Sequence, residues 1–249
     1  MLWGSFGWVH IFSLLVGAGI IIGLYYLLKN KSEKVQLIVL GILSFSGVSA
    51  IIFNLVTWGS PLEYLPLHLC SLSAMVLPFA VLLKNKVLSN LLLLWSLGAL
   101  MALVINTSQA DYEIFSFTFA FYFFPHVLEF GIPIMMFKLK LVEKDFRCIL
   151  STVAITWVSY TAIHFVNVAL NNYFIKNNIL DWAGNVVQVN YMFSITPENP
   201  VLVVFKNILP YDYWYMLLVI PVVVIYLSAI YCKQIIMWVK EKRDCKTNG

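Results

Sequence analysis

The stretch Leu65-Pro66-Leu67-His68-Leu69-Cys70-Ser71-Leu72 places an imidazole and a thiol where an apolar helix begins. Polar groups at the edge of an apolar span are costly unless something uses them. A thiol becomes a nucleophile when a base is within reach, and the first turn of a helix favours its thiolate. Pro66 suits the first turn of a helix, which would set His68 and Cys70 within the first two turns. Residues two apart on a helix point about 200° away from each other. His68 is therefore a poor direct base for Cys70, and the base is expected from another element.

Two segments offer one. Tyr122, His126 and Glu129 are spaced by four and three, so they share a helical face. Tyr160, His164, Asn167 and Asn171 do the same further along. His126 falls about 18 Å into its span at 1.5 Å per residue, and Pro125 predicts a kink beside it. Cys70 then reads as nucleophile, His126 as general base and Glu129 as the group that orients the base. His68, His164, Asn167, Asn190 and Tyr122 read as substrate-binding residues, with Asn190, Asn167 or His164 donating to an oxyanion. The plain alternative is that both stripes are interhelical hydrogen bonds. Cys148, Cys232 and Cys245 lie at the opposite ends of spans or in the tail, which leaves Cys70 without a disulfide partner on its side. One cysteine and three histidines have the right chemistry for zinc, but their spacing matches no metal motif. There is no P-loop and no Gly-x-Ser-x-Gly elbow. No metal and no other cofactor is expected.

The elements that must position these residues are membrane spans. The chain of 249 residues is 61% hydrophobic and 11% charged, against about 25% charged in a soluble domain. Seven apolar stretches approach the roughly 20 residues a crossing needs: 8–28, 35–57, 65–83, 87–105, 114–137, 148–170 and 213–237. Of the 16 basic residues, 14 fall in one set of connections and the tail. The other set holds Lys176 and Lys206 with Glu63, Asp111, Glu113, Asp181, Glu198 and Asp212. The positive-inside rule then gives an outside N-terminus and a cytoplasmic C-terminus, as an odd number of spans requires. The net charge of +4 follows from that topology, so no nucleic-acid partner is expected. The fold expected is an all-α polytopic membrane protein, a bundle of about seven helices in one domain over 1–249. A long outer connection at 171–212, containing Trp182, is expected to pack against the outer mouth, and 238–249 forms a cytoplasmic tail. All four histidines fall between the outer surface and the middle of their spans, which points to a polar cavity on the extracellular side of the cell membrane.

A set of short motifs runs along the chain in a fixed order: Phe6-Gly7-Trp8-Val9-His10, Leu65 to Ser71, Trp95-Ser96-Leu97-Gly98-Ala99, Phe123-Phe124-Pro125-His126, Asn190-Tyr191-Met192-Phe193 and Tyr211-Asp212-Tyr213-Trp214-Tyr215. In these the chain resembles the YwaF-like integral membrane proteins of bacteria, distant relatives of eukaryotic transmembrane protein 164. The resemblance implies a thiol-dependent acyltransferase acting on phospholipids, with the partner histidine of the relative corresponding to His126. The relative's cysteine is followed by a histidine after a proline; here the order is His68, Leu69, Cys70. The function expected is transfer of a fatty acyl chain from a membrane phospholipid to a lysolipid or amine acceptor through a cysteine thioester. Two other readings are a transporter or channel using the stripes of spans 5 and 6, and a non-catalytic lipid-binding or receptor-like bundle.

Overall fold

Long apolar runs have one way to bury their backbone polar groups without water, which is to bond them within a helix. In a computed structural model describing residues 3, 6–58, 60, 62–105, 112–181 and 183–247, they do so throughout. Asp111 and Trp182 lie outside the described residues. Helices α1 (Trp8–Leu28), α2 (Glu33–Ser44), α3 (Ser46–Thr57), α4 (Leu69–Leu83), α5 (Lys86–Val104), α6 (Phe117–Lys138), α7 (Cys148–Asn177), α8 (Pro200–Ile208) and α9 (Val219–Thr247) follow in order. Two 3-10 turns, Tyr191–Phe193 and Trp214–Leu218, flank α8.

Among the described residues, six helical segments are long and apolar enough to cross a membrane: Trp8–Leu28, Glu33–Thr57, Lys86–Val104, Phe117–Lys138, Cys148–Asn177 and Trp214–Glu241. The expected count of seven is not reached, because the stretch read as 65–83 forms a helix of only 15 residues, α4. That is about 22 Å at 1.5 Å per residue, short of the roughly 30 Å hydrocarbon layer. Its start lies beyond Pro66. Leu67 N–H bonds to Leu65 C=O at 2.7 Å, a turn that closes before the helix opens at Leu69. The second crossing is two helices joined at Phe45. Ser44 Oγ donates to Gly41 C=O at 2.6 Å, and Gly41, Ser44, Ser46 and Gly47 supply the small residues at which helices bend.

The centre of the bundle is α5 and α6. Their apolar windows are 56% and 61% buried, against 17% for α1, α7 and the Trp214–Glu241 segment. Leu77, Val81, Leu91, Leu92, Trp95, Ile132, Met135, Met136 and Tyr231 form the largest core cluster. At the lysine-rich end the structure is tied by polar bonds. Asn90 Oδ1 accepts from Tyr231 Oη at 2.5 Å and from Asp145 N–H at 3.1 Å, and Gln234 bridges Lys144 C=O and Phe146 N–H. The Lys86 ammonium lies 2.5 Å from Asp145 and holds that carboxyl below the usual carboxylate range, chiefly by hydrogen bonding.

Candidate functional site

Cys70 is the second residue of α4, and His68 is its N-cap with an extended backbone at φ −72°, ψ 155°. The His68 side chain does not cap the helix. Its ring lies instead 5.3 Å from the Tyr191 ring and 5.7 Å from the Phe193 ring, centroid to centroid. His68 is thus held by aromatic packing, and Cys70 turns away from it toward α6.

There it meets the polar face of α6. A ring nitrogen of His126, a carboxylate oxygen of Glu129 and the Cys70 sulfur lie within 4.8 Å of one another. His126 and Glu129 are three residues apart, one helical turn, which places both on the side of α6 that faces α4. As residues, Cys70 and His126 are half-buried and Glu129 is buried.

The orientation of His126 has a cause the stripe alone does not show. Its Nδ1 lies 2.6 Å from the Tyr122 carbonyl, one turn back. A carbonyl only accepts, so Nδ1 carries a proton, and in the neutral ring the lone pair is on Nε2. The Tyr122 ring packs 4.4 Å from the imidazole, and its hydroxyl donates to Ala102 C=O on α5 at 2.9 Å. Two expectations change here. The group that orients His126 is the Tyr122 carbonyl rather than Glu129. The Tyr122 hydroxyl, read as substrate-binding, is a tie between α6 and α5.

Glu129 sits where a charge is hard to satisfy. It is 4% exposed, its Oε2 has no hydrogen-bond partner, and no ion pair among the described residues includes it. Ser73, one turn from Cys70 on α4, likewise has a buried hydroxyl without a partner. So two of the three such side-chain atoms among the described residues belong to the helices that carry Cys70 and His126. Prolines add to this polarity. Pro78, Pro125 and Pro133 lack the N–H that would bond the carbonyls of Ala74, Phe121 and Glu129, four residues earlier. Gly47 of α3 closes the site from the side. A Cβ there would stand 2.5 Å from Ala74 Cβ and 2.7 Å from Glu129 Oε1.

The other predicted residues are elsewhere engaged. Asn167 donates to Tyr191 C=O at 2.8 Å and to Ser194 Oγ at 2.9 Å, and accepts from Tyr191 N–H at 3.0 Å. Both its donors are used, so it has none for an oxyanion. Asn190 donates to Thr196 and Glu198 and accepts from the Ile195 and Thr196 amides, which pins its own loop. His164 Nδ1 lies 3.0 Å from Ser194 Oγ. His10 is fully buried between Phe6 N–H and Leu103 C=O, a structural histidine rather than part of a cavity.

Sequence reasoning missed Tyr191. Its hydroxyl donates to Leu62 C=O at 2.6 Å and accepts from Leu65 N–H at 3.3 Å, so it fixes the chain that leads into α4 and Cys70. Burial pushes this phenol up to about 12, which keeps the donor proton in place. The signal was present in an aromatic cluster, Tyr191-Met192-Phe193, inside a polar loop.

The fold and this buried polar centre define a polytopic helical membrane protein. The TMEM164 family matches residues 5–231, and the chain belongs to that family. No curated protein and no solved structure matches it.

Proposed function

We propose that the chain is a membrane-embedded acyltransferase in which Cys70 is the nucleophile, His126 the general base and a membrane phospholipid the acyl donor. The observation that carries this is the approach of the Cys70 sulfur, a His126 ring nitrogen and a Glu129 oxygen to within 4.8 Å, from two helices distant in sequence. A nucleophile, a base and a third group brought close together are the recurring signature of covalent acyl transfer.

On this reading the steps are these. His126 Nε2 takes the Cys70 proton as sulfur attacks the ester carbonyl of the donor. The carbonyl oxygen becomes an oxyanion, and the Leu69, Cys70 and Ser71 amides in the uncapped first turn of α4 supply donors for it. Collapse breaks the carbon–oxygen bond to the glycerol backbone, and the departing alkoxide takes the proton back from His126. Cys70 is left as a thioester. A lysolipid hydroxyl or an amine then gives its proton to His126 and attacks the thioester, which restores the thiol. Glu129 stabilises the imidazolium formed in each half, while the Tyr122 carbonyl fixes the ring.

The reading extends to topology. The 14 basic residues at one end support a reading in which that end is cytoplasmic and the site faces the outer side of the cell membrane. α4 then serves as a seventh, short crossing in a single bundle, with the N-terminus outside. Within the TMEM164 family, the ordered motifs favour a place among the YwaF-like bacterial members as part of this reading. A transport reading is less well supported, because the polar side chains of the α7 stripe are engaged in bonds to residues 189–213.

The test is intact-protein mass spectrometry after incubation in phospholipid liposomes. The expected result is an acyl-mass adduct on wild type that hydroxylamine removes and that Cys70→Ala lacks. Full activity in both Cys70→Ser and Cys70→Ala would overturn the thioester scheme.

A further inference from the structure

Cys70, His126 and Glu129 present sulfur, nitrogen and oxygen to one point. We propose that these three donors also form a zinc site, and that the zinc-bound chain is a silenced state in which the thiol is held as a metal ligand. The inference uses the same three atoms as the acyl-transfer reading, but it rests on their geometry and not on that reaction.

Four observations point to a metal of this kind. First, the ligand types fit: thiolate, imidazole and carboxylate are the three side-chain donors zinc takes, while thiolate disfavours magnesium and calcium. Second, the span is right. Donors on a tetrahedral zinc stand about 3.5 Å apart, given bonds of about 2.0 to 2.3 Å. Atoms already within 4.8 Å reach that separation by small side-chain rotations. Third, the imidazole is prepared as a ligand. Its Nδ1 is bonded to the Tyr122 carbonyl at 2.6 Å, which leaves the Nε2 lone pair free, the arrangement that outer partners of metal-bound histidines impose. Fourth, Glu129 is 96% buried by its 4% exposure and has an oxygen without a partner. A buried carboxyl ionises only beside a counter-charge, and no ion pair among the described residues provides one, so a cation is what would draw it into its ionised form.

Charge balance favours occupancy. On binding, the Cys70 S–H bond breaks, the proton held by the unpaired buried Glu129 carboxyl is released as well, and both protons leave to solvent. Zn²⁺ with one thiolate, one carboxylate and a neutral imidazole sums to zero, so the centre becomes neutral in a low-dielectric place. Three protein ligands leave a fourth position for water. While the metal is held, the sulfur lone pair is committed and Cys70 cannot attack an ester.

The experiment uses the full chain in nanodiscs, stripped with a chelator, in a Cys148→Ser, Cys232→Ser, Cys245→Ser background so that one thiol remains. It is titrated with cobalt(II) and then with zinc. The expected result is one equivalent of cobalt with a near-ultraviolet thiolate-to-metal charge-transfer band, displaced by zinc. Cys70→Ala abolishes the band, and Glu129→Gln weakens cobalt binding by roughly tenfold or more. Circular dichroism of each variant verifies its fold. A folded background protein without the band overturns the proposal, and so does a band that survives Cys70→Ala. The acyl-adduct assay on metal-free protein separates the two readings. Metal binding without an adduct would leave the zinc site standing and remove the thioester; an adduct without metal binding would remove the zinc site alone.

Discussion

Helices α6 and α7 each carry a polar stripe of similar composition, a tyrosine followed at helical spacing by a histidine and a further polar residue. The structure uses them in opposite ways. On α7 every member is bonded to the segment 189–213. Tyr160 donates to Tyr213 C=O, His164 meets Ser194, Asn167 grips Tyr191 and Ser194, and Asn171 exchanges two bonds with Val189. On α6 the stripe ends in an imidazole bonded only to its own helix and a carboxyl oxygen with no partner, facing a thiol. A satisfied stripe holds a structure together. An unsatisfied one keeps its bonding capacity for something that arrives later.

That contrast is broken most sharply by exchanging the roles of the two stripes. Cys70→Ala is expected to abolish the acyl adduct and His126→Ala to slow its formation by about 10³-fold, while thermal unfolding in detergent barely moves, since neither side chain anchors another element. Asn167→Ala should do the reverse. It strands the Tyr191 amide and carbonyl in a buried site, so unfolding should be easier by about 2–4 kcal/mol, read as a lower melting temperature. Gly47→Ala lies between the two. Its new methyl would meet Ala74 Cβ at 2.5 Å and Glu129 at 2.7 Å, so it should destabilise by about 1–3 kcal/mol and also slow adduct formation.

The smallest effect belongs to the lysine-rich end, remote from both stripes. Lys86 holds the Asp145 carboxyl low, so the folded state binds the proton less well than the unfolded chain. The stabilisation is complete above the ordinary carboxylate range and is lost as pH falls through the lower folded value. Asp145→Asn should flatten that acid limb of a melting-temperature curve and leave neutral behaviour nearly unchanged.

Much of this was legible in the residues. The spans follow from apolar length: α1 matches at both ends, and α5 begins one residue before the expected start and ends one residue before the expected end. Cys70, His126 and Glu129 were singled out by residue type and by i, i+3 spacing, and the fold brings them together. What could not be read was satisfaction. Asn167 and Asn190 look like free donors until the loop 190–196 is folded onto them. The partner of His126 is a backbone carbonyl, which sequence does not distinguish from any other. Pro66 looked like a helical first residue. The turn at Leu65–Leu67, held by Tyr191 from 126 residues away, delays the helix to Leu69. The extension of α7 to Asn177 has the same origin, because Asn171 and Phe174 pack on a loop that apolar counting treats as the end of the span.

The most direct measurement compares the two histidines in one assay. His126→Ala and His164→Ala are each incubated in phospholipid liposomes and examined by intact-protein mass spectrometry for the Cys70 adduct. The expected result is loss of the adduct in His126→Ala and its persistence in folded His164→Ala. An adduct that survives His126→Ala but disappears in folded His164→Ala would contradict the assignment of chemistry to α6 and structure to α7.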